Sequence, residues 1–160
     1  MSTVHPIKPV YDNNSKILIL GSFPSVASRE TGFFYGHRQN RFWKVLSYLL
    51  GSTVPNDVSE KKALLLENGI ALWDVIASCD IIGSSDSSIK NIVANDISNI
   101  LKNGVKAVFT NGKTASALYK KYVYPKIGVA DISLPSTSPA NAAFSLQKLT
   151  EEWSVIKNYL

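Results

Sequence analysis

The stretch Lys16-Ile-Leu-Ile-Leu20, which ends at Gly21, decides the fold. Four consecutive aliphatic residues without polar alternation are typical of a strand buried on both faces, as in the centre of a parallel sheet. Three more short apolar runs bounded by turn residues follow at Ile70–Val75, Val105–Phe109 and Val129–Leu134. The sequence therefore predicts four strands of one sheet.

Helical patterns separate these strands. After the first loop, the apolar residues Phe42, Val45, Leu46 and Leu49 recur at helical spacing, and Gly51 ends the pattern. We predict further helices from Asp57 to about Gly69, Ile92 to Leu101, Thr114 to Tyr122 and Leu146 to Tyr159, with irregular loops over 21–39 and 83–88. Alternating strands and helices indicate a single domain over residues 1–160 with a three-layer α/β/α fold. In this fold, helices cover both faces of a central four-stranded, mostly parallel sheet.

The composition is that of a globular protein, because 45% of the residues are hydrophobic and 18% are charged. No apolar run approaches the roughly 20 residues of a membrane-spanning helix, and the first residues lack the pattern of a signal peptide. The lone cysteine, Cys79, excludes an internal disulfide, an all-cysteine zinc site and an iron–sulfur cluster. We therefore predict a cytoplasmic protein that does not associate with a membrane. Since no His, Cys and carboxylate cluster has metal-ligand spacing, we also predict no metal and no other cofactor.

The net charge of +5 is compatible with a polyanionic partner. Lysine and arginine side chains set against phosphates release condensed counterions, which favours binding to nucleic acid. Many basic proteins bind no nucleic acid, however, and the sequence contains no dense basic run. The charge alone is therefore weak evidence for a nucleic-acid partner.

The loop after the first strand carries the most specific sequence signal. In open parallel sheets, ligands bind beyond the carboxyl ends of the strands, where this loop begins as Gly21-Ser-Phe-Pro-Ser25. It continues as Thr31-Gly-Phe-Phe-Tyr-Gly-His-Arg-Gln-Asn-Arg-Phe-Trp43. Neither part matches a phosphate-binding glycine motif, and alone the first part indicates only an ordinary turn. Together, in this order and spacing, they resemble the uracil-DNA glycosylase superfamily, closest to its hypoxanthine-DNA glycosylase (DNA-deoxyinosine glycosylase) and mismatch-specific uracil-DNA glycosylase branches.

The resemblance implies a monofunctional DNA glycosylase. Such an enzyme flips a deaminated base, hypoxanthine or uracil, out of the duplex and hydrolyses its N-glycosidic bond, leaving an abasic site for base excision repair. The implied partner is damaged double-stranded DNA, with single-stranded DNA left open, and the implied state is a monomer. Two alternatives remain: a glycosylase specific for G:U or G:T mismatches, and a non-catalytic protein that binds nucleobases or nucleic acid on the same fold.

Asn40 is the candidate catalytic residue. Its amide oxygen could position the attacking water, or its nitrogen could donate a hydrogen bond to the departing base. Its position also fits a simple cap for the helix that begins at Arg41, and the two roles are compatible. In the enzymes that the sequence resembles, an Asp or Asn before the first-loop proline orients the water, whereas this chain has Phe23 there. That departure points to the hypoxanthine branch and is the reason for placing the reaction on Asn40.

A base pocket is predicted around the strand ends. The resemblance makes Tyr35 the ring that stacks on the flipped base, with Phe34 as second choice. Without the resemblance, packing in the core would be the favoured role of these rings. His37 could touch a base edge or a phosphate, act as an electrophile on the leaving base, or simply pack under the loop. Asp74 is the only carboxylate near the presumed site that could act as a base, and a structural hydrogen-bonding role is its alternative. The predicted pocket comprises Gly21, Ser22, Phe23, Pro24, Phe34, Tyr35, His37, Trp73, Asp74 and Asn111.

The loop Leu134-Pro-Ser-Thr-Ser-Pro-Ala-Asn141 resembles the second motif of the superfamily, in which His or Asn precedes Pro-Ser and a wedge fills the gap left by the base. Leu134 occupies the place of the His or Asn. Taken alone, such a Ser-, Thr- and Pro-rich segment is only a loop. Arg38 and Arg41 are candidate phosphate contacts, although solvated arginines are more common. The predicted DNA-binding and wedge residues are Ser25, Arg41, Lys113, Pro135, Ser136, Thr137, Ser138 and Pro139.

Overall fold

A computed structural model describes residues 2–160 and places the four predicted strands in one sheet. The strands of the chain are β1 (Thr3–Val4), β2 (Ile17–Gly21), β3 (Ile70–Asp74), β4 (Ile76–Asp80), β5 (Lys90–Ala94), β6 (Ala107–Asn111) and β7 (Asp131–Leu134). The helices are α1 (Val26–Thr31), α2 (Phe42–Leu50), α3 (Val58–Glu67), α4 (Ser98–Leu101), α5 (Lys113–Leu118), α6 (Tyr124–Ile127) and α7 (Leu146–Trp153). The main sheet has the order β3-β2-β6-β7, and every neighbouring pair in it is parallel. The predicted α/β fold is confirmed.

Strand β2 connects the two halves of the hydrophobic core. Ile17 and Ile19 point into a cluster formed with helices α2, α3 and α7, whereas Leu18 and Leu20 point into a second cluster with α4 and the α5 region. All four side chains are completely buried. Since successive side chains of a strand alternate between faces, an unbroken aliphatic run is what a strand covered on both sides requires.

The prediction of a helix over Ile92–Leu101 is wrong. Residues 90–94 form the edge strand β5, and only Ser98–Leu101 are helical. Strand β5 pairs antiparallel with β4, which also pairs with β1 in a second, three-stranded sheet that the sequence analysis did not predict. Two polar side chains interrupt the helical pattern: Asn95 caps backbone carbonyls, and Asp96 accepts the Ser98 N–H at 3.0 Å. Short polar side chains of this kind compete with helical hydrogen bonds and favour helix starts.

The predicted irregular loop over 21–39 contains a short helix. Helix α1 begins where the Ser25 hydroxyl accepts the Ser28 N–H at 3.1 Å, and it ends at Gly32 in the left-handed conformation. Farther along the chain, α5 continues through a π-helical turn (Tyr119–Val123) into α6, and α7 continues into a 3₁₀ turn (Ser154–Tyr159). Within residues 2–160, no helix is both long and apolar enough to cross a membrane.

The junction between β3 and β4 depends on Asn95. Its side-chain nitrogen donates to the carbonyl oxygens of Asp74, at 2.9 Å, and Ile76, at 3.1 Å. Its backbone N–H donates to Val75, the single residue between the two strands, at 2.8 Å. This contact fixes the carboxyl end of β3.

We expect Asn95→Ala to lower the free energy of unfolding by about 1–3 kcal/mol, because two backbone carbonyls lose their partner. Urea denaturation followed by circular dichroism measures the change. Asn103→Ala, in an exposed loop, is the matched control and should change stability by less than about 0.5 kcal/mol. Equal effects of the two substitutions would contradict a structural role for Asn95.

Candidate active site

A cavity of about 320 Å³ lies at the carboxyl ends of the central strands. Gly21, Asp74 and Asn111 are the last residues of β2, β3 and β6, and all three line it. The lining residues that the sequence predicted are Gly21, Ser22, Phe23, Pro24, Ser25, Phe34, Tyr35, His37, Asn40, Asp74, Asn111, Ser136, Thr137, Ser138 and Pro139. The structure therefore brings the two motif loops together at one opening, as expected for ligand sites in parallel sheets.

Four predicted site residues lie outside this lining. The Trp73 indole N–H donates to the Ile7 carbonyl oxygen at 3.2 Å, and the ring packs among core residues. The Pro135 carbonyl oxygen accepts the Trp153 indole N–H at 2.8 Å. Lys113 is exposed at the start of α5. The fourth is Arg41, whose contacts are described below.

A chain of hydrogen bonds joins Asn111, Thr137 and Asn40. The Asn111 side-chain nitrogen donates to the Thr137 hydroxyl at 3.0 Å, and that hydroxyl donates to the Asn40 carbonyl oxygen at 2.9 Å. The same Asn40 oxygen accepts the backbone N–H of Phe42 at 2.9 Å. The Asn111 oxygen accepts the backbone N–H of Thr137 at 3.1 Å. This network connects β6, the second motif loop and the start of α2.

The network determines which atom of the Asn40 amide is already engaged in hydrogen bonds. Because backbone N–H groups can only donate, the Phe42 N–H requires the oxygen, not the nitrogen, of the Asn40 amide on its side. With the Phe42 and Thr137 bonds, both lone pairs of that oxygen are used. The Asn40 nitrogen donates to no acceptor among residues 2–160, and Asn40 lines the cavity. Of the two functions predicted for this side chain, its geometry fits donation and not water positioning by the oxygen, and the residue also caps α2.

Arg41 holds the second motif loop in place. Its guanidinium donates to the carbonyl oxygens of Ser138, at 2.9 Å, and Asn141, at 3.1 Å, and also to that of Phe144. Its backbone N–H donates to the Thr137 carbonyl oxygen at 3.1 Å. Arg41 was a candidate phosphate contact, whereas in the structure its two Nη atoms donate to carbonyl oxygens within the protein. Its buried Nε has no partner among residues 2–160.

The residues of the predicted wedge differ in exposure. Thr137 is completely buried, and its hydroxyl and backbone N–H belong to the Asn40 network. Ser136 and Ser138 are partly buried, whereas Pro139 and the neighbouring Ala140 are exposed at the lip of the cavity. The tip of the loop is therefore its most exposed part.

Aromatic side chains form one wall of the cavity. Tyr35 stacks on Phe42 with ring centroids 4.1 Å apart and an interplanar angle of 17°, while Phe34 packs edge-on against Phe33. Tyr35 has a φ of 53°, in the left-handed region that bulky residues rarely adopt. Such strain persists only where the surroundings enforce it, and it is common at functional sites. One face of the Tyr35 ring is occupied by Phe42, so a base could stack only on the other.

The Tyr35 hydroxyl is buried and, within residues 2–160, has no hydrogen-bond partner of regular geometry. Burial and the nearby Asp74 carboxylate raise the pKa of this phenol, and the neighbouring Asn111 side chain acts in the opposite direction. Since the pKa of Tyr35 is raised from a value already near 10, the group stays protonated at neutral pH and keeps its proton for donation.

Gly21 allows the closest approach of groups in the site. A Cβ at this position would lie 2.4 Å from the Asp74 Oδ1 and 3.0 Å from the Tyr35 hydroxyl oxygen. Glycine is therefore required here for space. Asp74 itself is buried, and its other oxygen, Oδ2, lies 2.8 Å from Nε2 of His5.

Several lining residues were missed from the sequence: Ser28, Ile81, Ser84, Asp86 and Ala140. The segment 81–88 closes one side of the cavity, since the Ser84 hydroxyl accepts the Val26 N–H at 2.9 Å and the Arg29 guanidinium donates to the Gly83 carbonyl oxygen at 2.5 Å. Desolvation raises the pKa of Asp86, and the Ser22 hydroxyl, 3.4 Å away, partly offsets this. Ala140 belongs to the second motif loop, so its sequence position could have indicated it. The fold, and not sequence spacing, brings segment 81–88 beside β2.

His37 lies at the exposed edge of the cavity, where its Nδ1 accepts the Gln39 N–H at 3.1 Å. This leaves Nε2 available toward solvent or a ligand. Within residues 2–160, no group of three or more His, Cys, Asp or Glu side chains could hold a metal ion.

Comparisons with known proteins identify the family of this chain. The family model described as the Uracil DNA glycosylase superfamily matches residues 8–158. The chain belongs to this superfamily. It is similar to proteins described as hypoxanthine DNA glycosylases, with 34% identity for the one from Methanosarcina acetivorans (92% of this chain, 93% of the relative) and 35% for the one from Methanosarcina barkeri (91% and 92%). A solution NMR structure of an M. acetivorans protein, provisionally described as a uracil DNA glycosylase, superimposes with a TM-score of 0.82 at 31% identity, covering 98% of this chain and 96% of that one.

This member of the uracil-DNA glycosylase superfamily has apolar residues at two motif positions. Phe23 lines the cavity, where it meets the His5 ring edge-on at 5.8 Å and the Arg29 guanidinium at 5.6 Å from its centroid. Leu134 is buried in the core and is 4% exposed. Neither position supplies a polar group. The polar side chains that line the cavity include those of Asn40, Tyr35 and Asp74, together with His37, Asp86 and several serines.

We expect Arg41→Ala to lower the free energy of unfolding of this superfamily member by about 2–3 kcal/mol, because three loop carbonyls lose a charged donor. Arg38→Ala, three residues earlier and exposed, is the matched control and should leave stability unchanged. Thermal and urea unfolding measure both. If Arg41→Ala unfolded like the parent chain and only weakened DNA binding, the phosphate-contact prediction would be correct instead.

Proposed function

We propose that this chain is a monofunctional DNA glycosylase that excises a deaminated base, hypoxanthine first, from double-stranded DNA. The observation that carries the proposal is the amide of Asn40: its oxygen is fully engaged, its nitrogen has no acceptor among residues 2–160, and the residue lines one cavity with Tyr35 and Phe34. The similarity to two proteins described as hypoxanthine DNA glycosylases supports the choice of base. The cavity volume of about 320 Å³ lies within the usual range for small-ligand pockets, which fits one flipped base.

The reaction breaks the bond between the anomeric carbon of the sugar and the base nitrogen. The electron pair of this bond leaves with the base, which takes up a proton, while water adds to the sugar carbon and gives a proton to solvent. Negative charge therefore develops on the base and positive charge on the sugar. Asn40 would donate its N–H to the departing base, stabilising the negative charge as the bond lengthens.

Preorganisation is the main contribution of the Asn40 network. A free amide in water would have to reorient as charge develops, whereas here Phe42 and Thr137 fix its direction beforehand. Donors that are fixed in a water-poor cavity stabilise developing charge far better than the same groups in water. The Asn111–Thr137 contacts extend this rigidity to the sheet.

DNA binding in this proposal uses the rim of the cavity. The exposed tip formed by Pro139 and Ala140 would occupy the space left by the flipped base, and the net charge of +5 would favour a polyanion. The chain would act as a monomer, since one cavity contains all the groups invoked. Cleavage ends at a free base and an abasic site, without strand scission.

We expect Asn40→Asp to lower the single-turnover rate on a hypoxanthine-containing duplex by at least about 100-fold, because the carboxylate keeps both acceptor contacts but loses the donor. Alkali treatment followed by gel electrophoresis reveals the abasic sites. Asn13→Asp, at the opposite end of the sheet, is the control and should retain the parent rate.

Parallel duplexes with uracil or with a G:T mismatch test the base preference. The proposal expects the fastest release from hypoxanthine. Release from the mismatch alone would indicate the mismatch-specific alternative. No release from any of these duplexes, together with unchanged DNA binding by Asn40→Ala, would show a binding protein and refute the enzyme.

A further inference from the structure

His5 lies against the deepest carboxylate of the cavity, although 69 residues separate it from Asp74 in the chain. It also precedes residues 8–158, the part of the chain that matches the superfamily model. The side chains of His5 and Asp74 are 3% and 4% exposed, so the pair is almost fully removed from solvent. The short strand β1 brings His5 there by pairing with β4, and the His5 N–H donates to the Ala77 carbonyl oxygen at 2.8 Å.

The backbone fixes the tautomer of His5. Nδ1 accepts the Ile7 N–H at 3.1 Å, so this nitrogen carries the lone pair in the observed geometry. The proton of the neutral ring is then on Nε2, which donates to the Asp74 Oδ2 at 2.8 Å. Three rings hold the imidazole in place: those of Phe23, Phe34 and Trp73.

The contact with His5 orients the carboxylate of Asp74. Because Oδ2 contacts His5, the other oxygen, Oδ1, lies beside Gly21. The Tyr35 hydroxyl lies next to the same glycine. The lining of the cavity thus includes an acceptor, Asp74 Oδ1, close to the buried hydroxyl donor of Tyr35. Among residues 2–160 the Tyr35 hydroxyl has no hydrogen-bond partner of regular geometry, and buried polar groups are seldom left without one.

We infer that His5 is a positioning residue that holds Asp74 so that its free oxygen accepts the ring N–H of a lactam-type base, while Tyr35 donates to the adjacent carbonyl. This inference rests on the proposed function and specifies how the base is selected. Hypoxanthine presents N1–H beside the O6 carbonyl, which matches an acceptor beside a donor. Adenine has a lone pair at N1, which would face the negative charge of Asp74.

The arrangement also predicts that an amide at position 74 would turn a different group toward the base. His5 Nε2–H needs an acceptor, so in Asp74→Asn the amide oxygen would turn to His5 and the amide nitrogen would face the cavity. The floor would then present a donor to the N1–H of hypoxanthine. In the double variant His5→Phe with Asp74→Asn, the ring packing is retained but the amide is free to turn its oxygen to the base.

Equilibrium binding tests this without turnover. The probes are duplexes with one non-cleavable 2′-fluoro nucleotide that carries either hypoxanthine or unsubstituted purine, which has a lone pair at N1 and no carbonyl. We expect the parent chain to prefer hypoxanthine and Asp74→Asn to lower that preference by about 10- to 100-fold. His5→Phe should lower it by a smaller factor. The double variant should recover part of the preference relative to Asp74→Asn.

Each outcome decides the inference. A purely structural role for the pair would weaken binding of both probes equally, so an unchanged preference in both single variants would overturn it. Failure of the double variant to recover, with all variants folded by circular dichroism, would also refute the positioning by His5. Asp12→Asn, remote from the cavity, is the matched control and should keep the parent preference. If the parent chain binds with the expected preference but excises nothing, the proposed function fails while the inference stands.

Discussion

The hydrogen bond from the Thr137 hydroxyl to the Asn40 carbonyl oxygen is the interaction on which the candidate site depends. It joins a loop that follows the last strand to the start of a helix nearly a hundred residues earlier. Through Asn111 it also reaches the end of the central strand β6. Removing it would leave Asn40 with only its capping contact and would loosen the second loop. The rigidity of the cavity is thus a property of the fold and not of either loop alone.

A second constraint is steric. At Gly21 the backbone of β2 passes so close to Asp74 and Tyr35 that any side chain would displace them. This is why the acceptor and the donor at the floor can be neighbours. The N-terminal segment adds to the same region, because His5 fills the space behind Asp74 and is enclosed by Phe23 and other rings. The packing around Gly21 and His5 therefore determines where the polar groups of Asp74 and Tyr35 lie.

The parts of the fold that were predictable are those with a strong local pattern. Strand β2 and helix α2 follow from uninterrupted aliphatic and helical spacing, which depend on burial alone. The failed helix over 92–101 shows the limit, since β5 exists only because β4 offers it an edge. Propensity within a window cannot report a partner strand that lies elsewhere in the chain.

The same division holds for the site. The place of Asn40 and most lining residues could be predicted, because they lie in loops whose order resembles a known family. Which atom of Asn40 faces the ligand could not, because that depends on the Phe42 and Thr137 hydrogens. Likewise Arg41 could not be recognised as an internal clamp from its sequence neighbours. The role of His5 has no sequence signal, since a lone histidine near a terminus is common.

An apolar residue at position 23 can strengthen the hydrogen bonds of the cavity by keeping solvent away from them. In water, solvent would compete with the Asn40 nitrogen and the Tyr35 hydroxyl for any ligand and would weaken both bonds. Phe23 and Phe34 surround these groups with low-polarity surface, which strengthens each remaining electrostatic contact. The loss of a polar residue at 23 therefore concentrates recognition on a few fixed groups. In the proposed function, recognition would rest on these few fixed groups, and a base that fails to match the acceptor and the donor would leave both desolvated without a hydrogen bond.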